Sequence, residues 1–272
     1  MVDEFAVPPE IADHARRFAA TGDEPPAPRL AATVVLLRPA PETGDFEVYV
    51  IRRVAAMAFG GVYAFPGGGV DPSDSRADLT WVGRSALASR LETTDERAQA
   101  IVCAAAREVF EEAGVLLAGH GPDTVVGDVS DAGWEAARQA LVRRERGFAD
   151  LLRDRDLTLR SDLLAPWSRW ITPESEPRRF DTYFFVAALP AGQVTRDVSG
   201  EADHTMWIRP ADAVARAASS EVRMLPPTLV TLREIGACPD LDAVWAAAAA
   251  RTPAVPVMPR LDLTGDRPRF TL

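Results

Sequence analysis

The order of apolar and polar positions marks out the elements first. Ala31–Arg38 (AATVVLLR) and Phe46–Arg53 (FEVYVIRR) are compact β-branched runs. They predict two strands of a mixed sheet, joined by a loop carrying Pro39, Pro41 and Gly44. Phe180–Leu189 predicts another strand and Thr205–Ile208 a short one. Met57–Val70 reads as an apolar strand that ends in three glycines. Helical spacing is clearest from Thr93 to about Val115. There Ala98, Ile101, Val102, Ala105, Val109 and Ala113 make one stripe, Thr93 and Glu96 are spaced as a capping box, and Gly114 sits at a helix stop. Further helices are predicted over Ile11–Ala20, Trp134–Arg146, Phe148–Arg153, Pro210–Ala218, Pro227–Ile235 and Leu241–Arg251. Residues 71–92 read as polar and irregular. The pattern is that of an α/β protein. An N-terminal segment (1–28) precedes a single domain (29–251) with a helical insertion at about 120–165, and an extended Pro-rich tail (252–272) follows.

Composition narrows the chemistry. The 272 residues are 47% hydrophobic, enough for a sizeable core. All 30 basic residues are arginine, and neither lysine nor asparagine occurs. Schiff-base and Walker-type lysine chemistry is excluded, as is N-linked glycosylation. A net charge of −10 argues against nucleic-acid and polybasic membrane partners. Two cysteines, Cys103 and Cys238, make no disulfide framework. The acidic, Pro-containing start MVDEFAVPPE is unlike a signal peptide, so a cytoplasmic location is expected.

One segment breaks a helix rule. In Arg107–Val115 (REVFEEAGV), Glu108 neighbours Glu111 and Glu112 at i+3 and i+4, just before Gly114. Carboxylates at a helix C-terminus are disfavoured by roughly 0.3–1 kcal/mol each. Such a violation marks a functional site, and the natural compensation is a divalent cation. An all-oxygen cluster suits Mg²⁺ or Mn²⁺. Arg107 is placed to hold Glu111 at i+4. Upstream, Phe65-Pro66-Gly67-Gly68-Gly69 ends a strand in glycines that let a backbone or ligand come close. Arg178 and Arg179, before the Phe180 strand, are candidate phosphate contacts.

These residues resemble the Nudix box, G-x5-E-x7-R-E-U-x-E-E-x-G-U. Arg107, Glu108, Val109, Glu111, Glu112, Gly114 and Val115 match every fixed position of its second half, with Gly68 as the box glycine. The first half departs from the pattern. Gly68 plus six is Asp74, and 32 residues rather than 7 separate it from Arg107. Counted back from Arg107, the box glutamate falls on Gln99; Asp74, Asp95 and Glu96 are the acids that could replace it. The insertion (75–99), together with FPGGGVDPSD, RRFDTYFFVAALP and MLPPT, resembles the branch of the peroxisomal acyl-coenzyme A diphosphatase, Nudix motif 19.

The resemblance implies an α/β/α sandwich around a mixed sheet. It implies Mg²⁺- or Mn²⁺-dependent hydrolysis of a small-molecule nucleoside diphosphate derivative, with coenzyme A or acyl-coenzyme A as the substrate considered first. Glu108, Glu111 and Glu112 would be the metal ligands and catalytic acids, with Arg107 as orienter and Gly67, Gly68, Gly69, Arg178 and Arg179 against the substrate. The arginine of the coenzyme A motif R-x3-G-x3-FPGG is Met57 here, leaving Arg52 or Arg53 to supply the charge. The alternatives are a Nudix hydrolase of ADP-ribose, dinucleotides or modified nucleotides, and a non-catalytic Nudix ligand-binding module. A homodimer is the assembly considered.

Overall fold

The computed structural model describes all residues except 1–3, 41–44, 55–60, 77, 198–201, 254 and 265–267. Met57, which stands at the arginine position of the coenzyme A motif, lies outside the described residues. In chain order the elements are β1 (Glu4–Ala6), α1 (Pro9–Thr21), β2 (Arg29–Pro39), β3 (Phe46–Arg53), β4 (Tyr63–Ala64) and β5 (Gly67–Gly69). Then come α2 (Arg84–Arg90), α3 (Asp95–Ala113), β6 (Ala118–Gly119), α4 (Ala132–Val142), α5 (Phe148–Asp154) and β7 (Thr158–Leu159). The chain closes with β8 (Ala165–Ile171), β9 (Phe180–Ala188), β10 (Ala202–Ile208), α6 (Pro210–Ala218), α7 (Pro226–Gly236), α8 (Leu241–Ala249), β11 (Arg260–Asp262) and β12 (Arg269–Thr271).

The main sheet runs β10-β3-β2-β9-β8, with β4 added to β3 and β5 to β2. Among the described residues, β2–β9 is the one parallel strand pair in it, so the sheet is mixed. Alternation along β2 explains the layers. Ala32, Val34 and Leu36 face a core built on α3, while Val35 and Leu37 face a second core with α6, α7 and α8. The result is the expected α/β/α sandwich. A second small sheet, β1-β12-β11, joins the two ends of the chain. Phe5, Ile11 and Phe270 form its own apolar cluster. Among the described residues no helix is long and apolar enough to cross a membrane.

Several local expectations are corrected. The cap of α3 is Thr94, whose hydroxyl accepts from the Arg97 amide at 3.3 Å, one residue later than the Thr93 box. Residues 71–92 are not irregular throughout. Pro72–Ser75 forms a 3-10 turn, and α2 buries Leu87 and Ala88 against α3. The glycine run is itself a strand, paired with β2 at Ala31–Thr33. β8 forms an edge of the main sheet where no strand was expected. The tail is extended only in part: Val257 bridges to Trp170, and β11 and β12 pair antiparallel.

Candidate active site

The acidic end of α3 is built around Arg107. Its guanidinium makes a two-pronged pair with Asp74, Nε to Oδ1 at 3.1 Å and Nη2 to Oδ2 at 3.0 Å. Nη1 donates to Glu108 Oε1 at 2.8 Å and to Glu111 Oε1 at 3.2 Å. Nη2 also reaches the Gly69 carbonyl at 2.9 Å, tying the helix to β5. Burial alone would lower the Arg107 pKa, but Glu108, Asp74 and Glu111 outweigh it and raise it. Asp74 is 1% exposed and also accepts from the Asp71 amide at 2.8 Å. Of the acids considered for the displaced box glutamate, Asp74 is the one that pairs with Arg107. Gln99 is buried but donates to the Arg76 carbonyl, away from Arg107.

The glycine strand meets the glutamates directly. The Gly67 amide donates to Glu112 Oε2 at 2.8 Å, so it is committed to a carboxylate rather than open to a phosphate. A Cβ on Gly68 would collide with the Glu108 carboxylate. Gly68 is what lets β5 and α3 approach this closely. Gly114 ends α3 in the left-handed region at φ 67°. The helix end is compensated after all, by arginines distant in sequence. Arg138 of α4 donates to the Glu111 carbonyl at 2.6 Å, and the Arg196 amide donates to the Ala113 carbonyl at 2.9 Å.

Glu108, Glu111, Glu112, Arg107 and Gly67–Gly69 all line one cavity of about 830 Å³. That volume falls in the range of small-molecule and cofactor sites. Among the described residues no three His, Cys, Asp or Glu side chains are already gathered as a metal cluster. The donors present are nonetheless carboxylate oxygens on one wall, two of which meet the same guanidinium nitrogen. Such a set fits a hard divalent cation.

Arg178 and Arg179 do not join this site. Arg178 is exposed and outside the cavity wall. Arg179 is 8% exposed, and its guanidinium donates to the carbonyls of Thr172 at 3.1 Å and Pro26 at 3.0 Å. It anchors loops, because backbone acceptors surround it. The wall instead holds Arg53, Arg144 and Arg146. Arg53 Nε is buried without a hydrogen-bond partner, whereas Arg52 turns to Asp203 at 2.6 Å. Tyr63, Trp170, Phe180, Phe184 and Phe270 line the cavity, while Phe65, Trp134 and Trp167 pack in the cores. Tyr63 Oη and His204 Nδ1 lie 3.3 Å apart. Cys103 is fully buried in the α3 core.

The family model for the NUDT19 Nudix domain matches residues 84–235, more than half of the chain. The chain belongs to the Nudix hydrolase family. The human acyl-coenzyme A diphosphatase NUDT19 is 28% identical over 236 residues, 73% of this chain and 62% of that protein. The putative nudix hydrolase 7 of Caenorhabditis elegans is 26% identical over 214 residues, 79% of this chain and 62% of that one. The chain thus spans about three fifths of the length of these curated relatives. The crystal structure of a NUDIX hydrolase from Alicyclobacillus acidocaldarius superposes with a TM-score of 0.66 at 30% identity, covering 84% of this chain and 98% of that one. The Nudix match begins at Arg84, so the glycine strand and Asp74 lie outside it; the geometry of Arg107 connects them to it.

Proposed function

We propose that this protein is a Mg²⁺- or Mn²⁺-dependent hydrolase of a nucleoside diphosphate derivative, with coenzyme A or acyl-coenzyme A as the substrate class. One observation carries this reading: the glycine strand, the three glutamates and a set of arginines share a single cavity. The names of the curated relatives support the choice of substrate. Glu108, Glu111 and Glu112 would hold the ion. When bound, the ion supplies positive charge against the diphosphate and acidifies a water for attack at phosphorus.

The chain's own residues do the rest. Arg107 orients Glu108 and Glu111 and fixes the helix to β5. The Gly67 amide holds Glu112 in place. Arg53, Arg144 and Arg146 bring cations to the wall of an otherwise acidic protein, where a guanidinium fork suits phosphate oxygens. Cleavage of coenzyme A between its phosphates would release 3',5'-ADP and 4'-phosphopantetheine.

The test offers the purified protein coenzyme A, acyl-coenzyme A, ADP-ribose, NADH, diadenosine polyphosphates and nucleoside triphosphates, with Mg²⁺ or Mn²⁺, and reads products by mass. Coenzyme A compounds are expected to be cleaved fastest, and Glu111→Gln or Glu112→Gln to lower kcat at least about a hundredfold. Turnover of none of these substrates, or full activity in chelator, ends the proposal.

A further inference from the structure

The cavity does not stop at the glutamates. One row of the sheet runs straight along its floor: Gly69 on β5 pairs with Ala31 on β2, Ala31 with Thr182 on β9, Thr182 with Trp170 on β8, and Trp170 with Val257 of the tail. At about 4.8 Å per strand, Trp170 lies roughly 14 Å from the glycine strand. Ala31, Thr182 and Trp170 all line the cavity. Apolar residues join the wall: Phe180 lies two residues before Thr182 on β9, Pro259 follows the tail residue that bridges Trp170, and Ile11, Leu225 and Phe270 line the same cavity. Ile11, Pro259 and Phe270 come from the two ends of the chain, outside the matched Nudix stretch.

Away from Asp71 and the glutamates of α3, one further acid among the described residues lines the cavity: Glu176, which also borders the neighbouring groove with His14, is 5% exposed, and its Oε1 has no hydrogen-bond partner. Its Oε2 lies 3.7 Å from His14 Nδ1, a nitrogen that also lacks a hydrogen bond. A buried acceptor left unsatisfied costs about 1–3 kcal/mol, so its retention beside a cavity asks for a donor that the chain does not supply.

We propose that the Trp170 end of the cavity is the subsite for the non-nucleotide arm of the diphosphate substrate, an apolar arm bearing N–H or O–H donors, and that Glu176 accepts a hydrogen bond from it. The inference rests on the diphosphatase reading, since the glutamate end of the same cavity would hold the diphosphate. The floor's length favours an extended arm over a group stacked close to the phosphates. An amide-bearing arm such as pantetheine has the required mixture of apolar surface and donors. A bare fatty chain has no donor for Glu176, and a nucleobase is the competing occupant that the test must separate.

The experiment compares the wild-type chain with Glu176→Leu, which removes the acceptor, and Glu176→Gln, which keeps an acceptor oxygen in the same shape. Phe180→Ala, at a half-buried position on the same wall, serves if Glu176→Leu fails to fold. KM and kcat are measured for coenzyme A and ADP-ribose. Binding of pantetheine, 4'-phosphopantetheine and AMP is measured by calorimetry, which reports on the subsite even if no substrate is turned over. Glu176→Leu is expected to raise KM for coenzyme A about tenfold with little change in kcat, to weaken pantetheine binding similarly, and to leave ADP-ribose and AMP unaffected; Glu176→Gln stays near wild type. A loss confined to AMP would assign the Trp170 end to the base and overturn the proposal. Equal changes for all ligands, or none, would overturn it too. Absence of any hydrolysis with intact pantetheine binding would sink the diphosphatase reading and leave the subsite standing.

Discussion

Asp74→Asn is the substitution that most directly tests how the site is assembled. The change is nearly isosteric but removes the charge from a carboxylate that is 1% exposed. Arg107, 8% exposed, loses a two-pronged partner at 3.0 and 3.1 Å. Breaking a buried ion pair by deleting one partner costs about 3–5 kcal/mol. Glu108, Glu111 and the Gly69 carbonyl still engage the guanidinium, so the lower end, about 3 kcal/mol, is expected. For a chain of this size that is a fall in Tm of roughly 6–12 °C. Thermal melts and urea unfolding measure the stability, and steady-state turnover of the proposed substrate measures whether the glutamates remain aligned. A parallel Gln99→Leu variant is essential, because sequence counting places the box glutamate there. If Asp74→Asn melts within about 1 °C of wild type while Gln99→Leu reproduces the loss, the assignment of Asp74 is wrong.

The other predictions concern separate parts of the molecule. Arg53→Ala should raise KM for a phosphate-rich substrate about tenfold at nearly unchanged Tm, while Arg179→Ala should cost about 2–3 kcal/mol through its stranded carbonyl partners and leave KM alone; the reverse pattern would restore Arg179 to the site. Arg138 chiefly, against the opposing effect of burial, holds the Glu135 carboxyl down from 4.5 to about 2. Its stabilising effect is therefore complete above pH 4.5 and is lost as pH falls toward 2, so Glu135→Gln should flatten the acid limb of Tm against pH, and coincident curves would refute this. Burial, reinforced by Asp74, pushes the Cys103 thiol well above its ordinary range. Iodoacetamide should leave Cys103 unmodified in the native protein and reach it only on unfolding, as read by peptide mass mapping.

The sequence made the strong local features legible. β2, β3, β9 and α6 have patterns that a short window contains, and the glutamates are neighbours on one helix. Where the signal was weak, neighbours decided. β8 carries Pro166, Ser168 and a register shift between Pro166 and Ser168, so its alternation is broken. α2 is preceded by Gly83 in a left-handed conformation, with no side-chain cap. The pairing of Asp74 with Arg107 was one of several open options, because nothing local chooses among three acids. Arg179 next to a strong strand looked like a phosphate clamp, yet tertiary carbonyls surround it. Glu176 and Arg53 reach the cavity only through the strand order, which joins segments far apart in the chain.

The split box also has a consequence for chain entropy. Asp74 and Arg107 are 33 residues apart, against 8 in an uninterrupted box, about two doublings of the closed loop. Each doubling costs only about 0.6 kcal/mol, so the insertion adds roughly 1.2 kcal/mol of closure entropy. The penalty for breaking the buried ion pair, about 3 kcal/mol, is more than twice that. Lengthening the connection is therefore cheap so long as its two anchors persist. Variation in length should be tolerated in the turns that flank α2, but not within that packed helix, at the Thr94 cap or at the anchors Asp74 and Arg107.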